Sequence, residues 1–369
     1  MMKIKTITCH DVYNAGASLQ AYALMKYLQN LDHEVEIIDY KPDYLSHHYE
    51  LFYVANSRYQ NIVFKIPYLL IKFPRRLINL FSKRKKNYDL FTKKYLNLTK
   101  RYNSYNELLN DCPEADLFIA GSDQIWNNIF PNGKDPAFYL QFVKDGTPKV
   151  SYAASFATSK VNYQFDENVK QWLNKLDKIS IREKSAIEIL NDYQIYGKQV
   201  MDPVFLLDES YWEKLCLDYD YSNYIFVNDF EKDDRIKNIA ISLSKKYNLK
   251  ILSNFKLGYE DKLVDDLGPL GFITAIKNSK YVISNSFHAT AFSLIFHTDF
   301  LVVKRNEKIN VRMEDLLEMF DLSYRLSDNI KDNNFDINWS QVDKVLKVKQ
   351  NESIKYINDI INLAEERSK

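Results

Sequence analysis

Residues 280–296 read KYVISNSFHATAFSLIF, and this stretch decides the fold because it combines a strand, a polar turn and the start of a helix. The apolar, largely β-branched run at 281–283 predicts the strand, and a Ser-Asn-Ser turn ending at Ser286 follows it. Ser286 is a typical N-cap residue, and the apolar spacing after it predicts a helix with His288 in its first turn.

The predicted helix start has a chemical consequence. Free backbone N–H groups and the positive end of the helix dipole favour a bound anion there. An imidazole at the same place, such as that of His288, is suited to proton transfer near neutral pH. The same residues also fit a capped helix with an incidental histidine, so both interpretations stay open at this point.

The rest of the chain repeats the alternation of strands and helices. A strand at 3–8, a helix at about 17–31 and a strand at 34–40 predict a βαβ unit, and the 369-residue length favours two domains. The predicted fold class is therefore α/β, with two Rossmann-like lobes that face a ligand cleft. The predicted parts are an N-terminal lobe at 1–210, a C-terminal lobe at 211–335 with the Ser-Phe-His motif, and a C-terminal helix at 336–369 that packs across the lobes.

Composition excludes several classes of protein. The formal net charge of +1 excludes a nucleic-acid binder driven by overall charge. No apolar run approaches the roughly 20 residues that span a bilayer, and the N-terminal sequence MMKIKTITC has no apolar signal core. The expected location is the cytoplasm. The three cysteines are widely spaced and match no disulfide or metal-binding pattern, so no metal site is expected.

A basic and amphipathic segment interrupts the first lobe near 51–88. It contains no acidic residue and nine basic ones, interleaved with apolar side chains and two prolines. Three interpretations stay open: an inserted helical segment with a solvated basic face, an element that rests on anionic lipid at the inner face of the cytoplasmic membrane, or a docking surface for a polyanionic acceptor.

Six short motifs, taken in order, resemble the polysaccharide pyruvyl transferase family over most of the chain. They are NAGASLQAYAL at 14–24, GSDQIWN at 121–127, YAASF at 152–156, REKS at 182–185, DPVFLL at 202–207 and SFHA at 286–289. The resemblance implies a fold similar to the GT-B glycosyltransferases. It also implies a pyruvyl transferase that uses phosphoenolpyruvate as donor, forms a pyruvate ketal on a sugar hydroxyl pair of a surface polysaccharide or its lipid-linked precursor, and needs no cofactor.

The resemblance also implies roles for individual residues. His288 corresponds to the family's active-site histidine, and Asp123 is a second catalytic candidate that orients a hydroxyl or acts as a base. Arg182 resembles the donor-binding arginine, with Ser286 and Asn285 in the same anion site. The acceptor-binding candidates are Asn14, Gln20, Ser122, Gln124, Trp126 and Ser155.

One position departs from the pattern of some relatives, which have an arginine where this chain has Ser286. A cation from elsewhere must then replace the lost charge, or the donor is held differently. The candidates are Lys304, Arg305 and Arg312, and at least one is expected to contact the donor.

Two other functions remain open on the sequence. A GT-B nucleotide-sugar glycosyltransferase would use the same two lobes, because a fold alone does not decide a function. A non-catalytic glycan-binding or assembly protein would keep the fold without turnover.

Overall fold

Two five-stranded parallel sheets form the framework of the molecule, which is known here as a computed structural model. The structure describes residues 1–54, 61–161, 164–219, 221–305, 310–326 and 336–368. Residues 55–60 of the basic segment lie outside these ranges, and so do, among others, residues 327–335 of the predicted C-terminal lobe.

The first sheet lies in the part of the chain formed by residues 1–213 and has the strand order β3-β2-β1-β4-β5. Its central strands are buried on both faces, as parallel strands covered by helices are. The strands and helices of this part are β1 (Lys3–Ile7), α1 (Ala15–Gln29), β2 (Glu34–Tyr40), α2 (Ile62–Leu80), α3 (Lys83–Tyr95), β3 (Leu98–Tyr102), α4 (Tyr105–Asn110), β4 (Leu117–Ala120), β5 (Lys149–Ser151), α5 (Asp166–Leu173), β6 (Ser180–Ile181), α6 (Ser185–Asp192), β7 (Lys198–Gln199) and α7 (Glu209–Glu213).

The second sheet lies within residues 211–335 and has the order β10-β9-β8-β11-β12. Its strands and helices are β8 (Tyr224–Asn228), α8 (Asp234–Tyr247), β9 (Lys250–Ser253), β10 (Lys262–Leu263), α9 (Pro269–Lys277), β11 (Tyr281–Ser284), α10 (Phe287–Ile295), β12 (Phe300–Val302) and α11 (Val311–Met319). The strand, turn and helix predicted at 280–296 are confirmed, and the Ser286 hydroxyl caps α10 by accepting from the Ala289 N–H at 3.4 Å.

In both sheets the strand order reverses next to the first strand of the unit. In the first sheet β1 lies between β2 and β4, and in the second β8 lies between β9 and β11. Loops that leave the carboxyl ends of such neighbouring strands diverge and open a crevice for a ligand. The loops after β4 and β11 carry the GSDQ and SFH motifs, so the topology brings both motifs to a crevice.

The C-terminal helix α12 (Trp339–Arg367) confirms the long helix predicted at the end of the chain. Near its start, Asp343 lies 2.7 Å from the His297 Nε2 atom, which belongs to the second sheet's part of the chain. Further on, the Ser353 hydroxyl accepts from the Met201 N–H at 3.0 Å, and the Tyr356 hydroxyl donates to the Ser151 carbonyl at 2.9 Å. The helix therefore contacts both halves of the molecule.

The basic segment forms α2 and α3, which differ in how they pack. Helix α3 buries Tyr88 and Phe91, and the Asn87 side chain donates to the Asp266 carbonyl at 2.7 Å. No side chain of α2 that the structure describes is buried. In the described part of the chain, every helix is too short or too polar to cross a lipid bilayer.

Candidate active site

The first turn of α1 and the first turn of α10 meet at Gly16 and His288. A Cβ atom added to Gly16 would lie 2.0 Å from the His288 Nδ1 atom, far inside van der Waals contact. Only glycine therefore lets the two helix starts approach this closely. The contact places the imidazole between the halves of the molecule.

A buried carboxylate, that of Asp202, lies at the centre of the polar cluster around His288. Its Oδ2 atom is 2.5 Å from Arg182 Nη1, accepts from the Ser122 hydroxyl at 3.1 Å, and lies 3.7 Å from His288 Nε2. Burial alone would raise the Asp202 pKa, but His288 and Arg182 outweigh it and hold the pKa well below its usual range. The cluster thus contains a permanent negative charge.

Two buried arginines, Arg182 and Arg312, have one partner in common, Asp123. The Asp123 Oδ1 atom is 3.5 Å from Arg182 Nη2 and 3.7 Å from Arg312 Nη1. In the amide orientation that satisfies its neighbours, the Gln124 oxygen accepts from Arg312 Nη2 at 2.7 Å. Burial and the charge of Arg182 lower the Arg312 pKa to about 10. Like charges held this close in a buried place favour a bound anion.

Unsatisfied hydrogen-bond donors point to the same conclusion. Among the described residues, the Nε–H groups of Arg182 and Arg312 have no hydrogen-bond partner, although both are buried. A buried donor without an acceptor costs about 1–3 kcal/mol, so proteins keep one where a ligand completes it. An anion with several acceptor oxygens would supply the missing partners.

Phe287 holds the two guanidinium groups near the start of α10. The Arg182 Cζ atom is 4.4 Å and the Arg312 Cζ atom 5.9 Å from the centre of its ring. Stacking on an aromatic face orients a guanidinium without consuming its hydrogen-bond donors. Phe287 is the first residue of α10, so the two guanidinium groups and the N-terminus of this helix lie around the same space, and both favour an anion there.

The backbone around Asp123 is strained. Asp123 has a φ of +71°, and Ala153 and Ala157 have φ values of +51° and +55°, in the left-handed region that favours glycine. The Asp123 carbonyl accepts from the N–H groups of Ile125 and Ser155 at 2.8 and 3.1 Å, which fixes the loop. Such strain in non-glycine residues is concentrated at functional sites.

Of the three cations predicted to replace a charge at Ser286, the structure brings only Arg312 into the cluster. The Lys304 ammonium lies 2.7 Å from Glu314, and the Arg305 Nε atom lies 3.2 Å from Glu231. Each of these two cations therefore has a carboxylate partner outside the cluster, and Lys304 lines the cavity described below. The Asn285 amide is engaged within the protein, since it donates to Asp229 at 2.8 Å and accepts from the Phe230 N–H, and its role in donor binding stays a prediction.

The predicted acceptor-binding residues fall into two groups. Asn14 and Gln124 keep exposed surface, and Asn14 also caps α1. Four others have no exposed surface in the unliganded structure, and their binding of the acceptor stays a prediction: Gln20, Ser122, Trp126 and Ser155. Their side chains make hydrogen bonds within the protein, for example from the Trp126 indole to the Phe138 carbonyl and from the Ser155 hydroxyl to Glu183.

A cavity of about 790 Å³ opens beside Arg312, between the first and second halves of the chain. Its lining residues are Asn128, Ile129, Thr158, Ser159, Lys160, Val161, Lys304, Asn310, Val311 and Glu314. It is large enough for a sugar, and its lining residue Val311 directly precedes Arg312 of the polar cluster. Within the described ranges, no group of three or more His, Cys, Asp or Glu side chains is arranged to hold a metal ion.

Two parallel α/β sheets that meet at a crevice, with a helix crossing both halves, define a GT-B-type fold. A UDP-N-acetylglucosamine 2-epimerase from Rickettsia bellii is similar at 12% identity and a TM-score of 0.52, with 99% of this chain and 98% of that chain covered. The glycosyltransferase SnogD from Streptomyces nogalater matches at 12% identity and a TM-score of 0.45, over 98% and 99% of the chains.

The family assignment rests on a sequence match and not on the similarity to these solved structures. The model of the polysaccharide pyruvyl transferase family matches residues 14–307, so the chain belongs to this family of transferases. No curated protein matches the chain. All six motifs lie inside the matched range, whereas Arg312 lies just beyond its end.

Proposed function

We propose that this protein transfers the enolpyruvyl group of phosphoenolpyruvate to a pair of sugar hydroxyls in a bacterial surface polysaccharide or its lipid-linked precursor. The products would be a pyruvate ketal and phosphate. The observation that carries the proposal is the buried pair Arg182 and Arg312 beside His288 at the start of α10. Membership of the family supports the same reaction.

The donor carries a carboxylate and a phosphate, and the cluster offers a complementary set of donors. Arg182 and Arg312 have unpartnered Nε–H groups, and the first turn of α10 adds backbone N–H groups. Charge-assisted and bidentate hydrogen bonds of this kind hold planar oxyanions in a fixed orientation. We assign the donor to this volume, with Arg312 as the cation that replaces the arginine of some relatives.

His288 would deliver the proton that starts the reaction. The terminal methylene carbon of the donor gains this proton and becomes a methyl group, one sugar hydroxyl adds to the neighbouring carbon, and phosphate leaves as the second hydroxyl closes the ketal. Of the two hydroxyl protons, one replaces the proton that His288 gave and the other leaves with phosphate. Asp202 offers a fixed negative charge 3.7 Å from His288 Nε2 while the imidazole carries a proton.

Asp123 and the neighbouring cavity would receive the acceptor. Asp123 and Gln124 lie at the end of β4 and keep some exposed surface, so their oxygens can orient sugar hydroxyls. The cavity beside Arg312 would hold the sugar itself. No step requires a metal ion or another cofactor.

The test is incubation of the protein with phosphoenolpyruvate and the lipid-linked and oligosaccharide pool of the source cell. We expect phosphate release and a matching glycan whose mass increases by one pyruvate ketal. His288→Gln should lower the rate by about 100- to 10,000-fold, while His297→Gln, a half-exposed histidine two turns later in the chain, should not change it.

Two outcomes would contradict the proposal. Glycosyl transfer from a nucleotide sugar without consumption of phosphoenolpyruvate would assign the protein to the glycosyltransferases. Tight glycan binding without phosphate release from any acceptor in the pool would make it a glycan-binding or assembly protein.

A further inference from the structure

Helix α2 is unusual because, among the described residues, none of its side chains is buried. Every side chain of α2 that the structure describes is exposed or half-buried, although the helix has 19 residues. Two of its contacts with the rest of the chain are the hydrogen bond from the Arg76 Nη1 atom to the Leu51 carbonyl at 2.8 Å and the approach of the Phe73 ring to within 6.0 Å of that of Phe52. A helix in water normally buries an apolar face, so a partner is expected.

The exposed face of α2 is a continuous apolar stripe. Spacings of three and four residues place six residues along one side of the helix and its first following turn: Phe64, Pro67, Ile71, Pro74, Ile78 and Phe81. The exposed fractions are 55% for Phe64, 77% for Ile71, 72% for Ile78 and 79% for Phe81. Leu70, which is 70% exposed, widens the stripe. Apolar surface of this extent on a protein marks an interaction site.

Basic residues follow one edge of the stripe. Lys65, Lys72 and Arg75 lie next to it by helical spacing, and Lys72 and Arg75 are exposed. Lys83 and Lys86 continue the exposed basic surface at the start of α3. No acidic residue occurs anywhere between residues 51 and 88. The partner must therefore be both apolar and negatively charged.

This combination selects one partner among the candidates. A second copy of α2 would bring two basic edges together without any acidic residue to pair with, which repels. A soluble polyanion would leave the apolar stripe in water. The headgroup region of an anionic bilayer offers negative charge to the basic edge and acyl chains to the stripe.

We propose that α2 lies flat on an anionic lipid bilayer, with its apolar stripe between the headgroups and its basic edge on the lipid phosphates. The helix is about 28 Å long, and it lies on the surface rather than across the bilayer. Helix α3 follows directly, and its Arg84 donates to the Tyr13 carbonyl at 3.3 Å, close to Gly16. The bound surface is thereby joined to the loop that faces His288. This inference does not depend on the proposed reaction.

The test is co-sedimentation of the full chain with vesicles of phosphatidylglycerol and phosphatidylethanolamine, compared with phosphatidylcholine alone. We expect binding only to the anionic vesicles and weaker binding as ionic strength rises. Lys72→Gln with Arg75→Gln should weaken binding by roughly 30-fold, since each basic residue near the surface contributes about fivefold. The matched control removes two exposed lysines of α12, Lys344→Gln with Lys347→Gln, and should bind like the unmodified protein.

The apolar contribution is tested separately. Ile71→Gln with Ile78→Gln should reduce binding by at least about tenfold even at low ionic strength, whereas Leu109→Gln with Val348→Gln, which removes two equally apolar exposed residues elsewhere, should not. In the Phe81→Trp variant, the fluorescence of the new indole should shift to the blue on anionic vesicles. All five positions are exposed, so circular dichroism should show an unchanged fold.

Three results would overturn the inference. The first is that the unmodified protein fails to bind anionic vesicles at low ionic strength. The second is that the Ile71→Gln and Ile78→Gln variant binds as tightly as the unmodified protein. The third is a dimer in sedimentation equilibrium that the isoleucine variant abolishes, which would assign the stripe to a second copy of the chain.

Discussion

At the scale of single residues, the contact between Gly16 and His288 is the tightest constraint in the site. Alanine at this position in α1 would favour the helix by up to about 1 kcal/mol, but its Cβ would overlap the imidazole. Overpacking of this kind costs about 1–3 kcal/mol. The clash with His288 therefore outweighs the gain in helix propensity, and alanine at position 16 should destabilise the protein.

We predict that Gly16→Ala lowers both the free energy of unfolding and the rate of turnover. The same substitution in a His288→Ala background should be neutral or stabilising, because the clash is gone and the helix propensity remains. Urea unfolding of the four proteins of this double-mutant cycle measures the coupling. Equal losses in both backgrounds would show that the clash does not involve His288.

Arg312 offers a second prediction at this scale, because it is buried next to a like charge. Arg312→Met keeps most of the side-chain volume and removes the repulsion with Arg182, so the unliganded protein should be at least as stable as before. Its affinity for phosphoenolpyruvate, measured by calorimetry, should fall by about 30- to 300-fold, the loss of a charge-assisted hydrogen-bond pair.

The control for Arg312 is Arg305→Met at the rim, where the arginine faces Glu231. This variant should bind the donor almost normally. If it loses as much affinity as Arg312→Met, the assignment of the replacing cation to Arg312 is wrong.

At the scale of secondary-structure elements, one carboxylate, that of Asp315, joins α6 to α11. The Asp315 carboxylate, on α11, accepts from the backbone N–H groups of Lys184 and Ser185 at 2.5 and 3.4 Å, at the start of α6. Burial raises the pKa of Asp315 to about 6, although these N–H groups lower it, and Glu183 and Glu318 add to the rise. The folded protein therefore binds this proton more tightly than the unfolded chain.

We predict that this carboxyl group contributes stability that is fully present below about pH 4 and is lost as the pH rises through about 6. Asp315→Asn cannot titrate but still accepts hydrogen bonds, so its stability should depend less on pH in this range, by up to about 2 kcal/mol after allowance for solvent screening. Denaturant unfolding between pH 4 and 7 measures the difference. Asp321→Asn, an exposed aspartate just after α11, is the control and should retain the slope of the unmodified protein.

The elements also show how far the sequence could predict this structure. The strand and helix around Ser286 follow from local spacing, and the structure has them within a residue of the prediction. The strand β3 was not predicted, because its LTKRY sequence mixes charged and apolar residues as a sheet edge does. Edge strands bury too little to leave a periodic signal.

The site was less predictable than the fold for a related reason. Asp202 was part of a quoted motif but not a predicted site residue, because its partners Arg182 and His288 are distant in sequence and no local pattern joins them. The Lys304 and Arg305 predictions relied on their place after a strand. Sequence position alone does not fix the direction in which a side chain leaves a loop.

At the scale of the whole molecule, α12 contacts both halves, through buried hydrogen bonds to Met201 and Ser151 and through the Asp343–His297 pair. Ile357 and Ile360 have no exposed surface, whereas Val348 on the same helix is 56% exposed. A large buried side chain reduced to alanine costs about 2–5 kcal/mol. The helix should therefore contribute to the stability of both halves together.

We predict that Ile357→Ala lowers the free energy of unfolding by about 2–4 kcal/mol and that Val348→Ala changes it by less than about 0.5 kcal/mol. Both halves should lose structure in one transition, observed by fluorescence and by circular dichroism. Two separated transitions in the Ile357→Ala protein, with only the first shifted, would show that α12 stabilises one half alone.

The burial of the arginine and histidine cluster has a consequence for kinetics. Arg182 and Asp202 belong to one half of the molecule and His288 and Arg312 to the other, and each of the four is less than a tenth exposed. We therefore expect the halves to separate before a ligand enters or leaves this volume. We expect the association rate of a donor analogue, measured by stopped flow, to level off at the opening rate as its concentration rises, and to fall as the solvent is made more viscous.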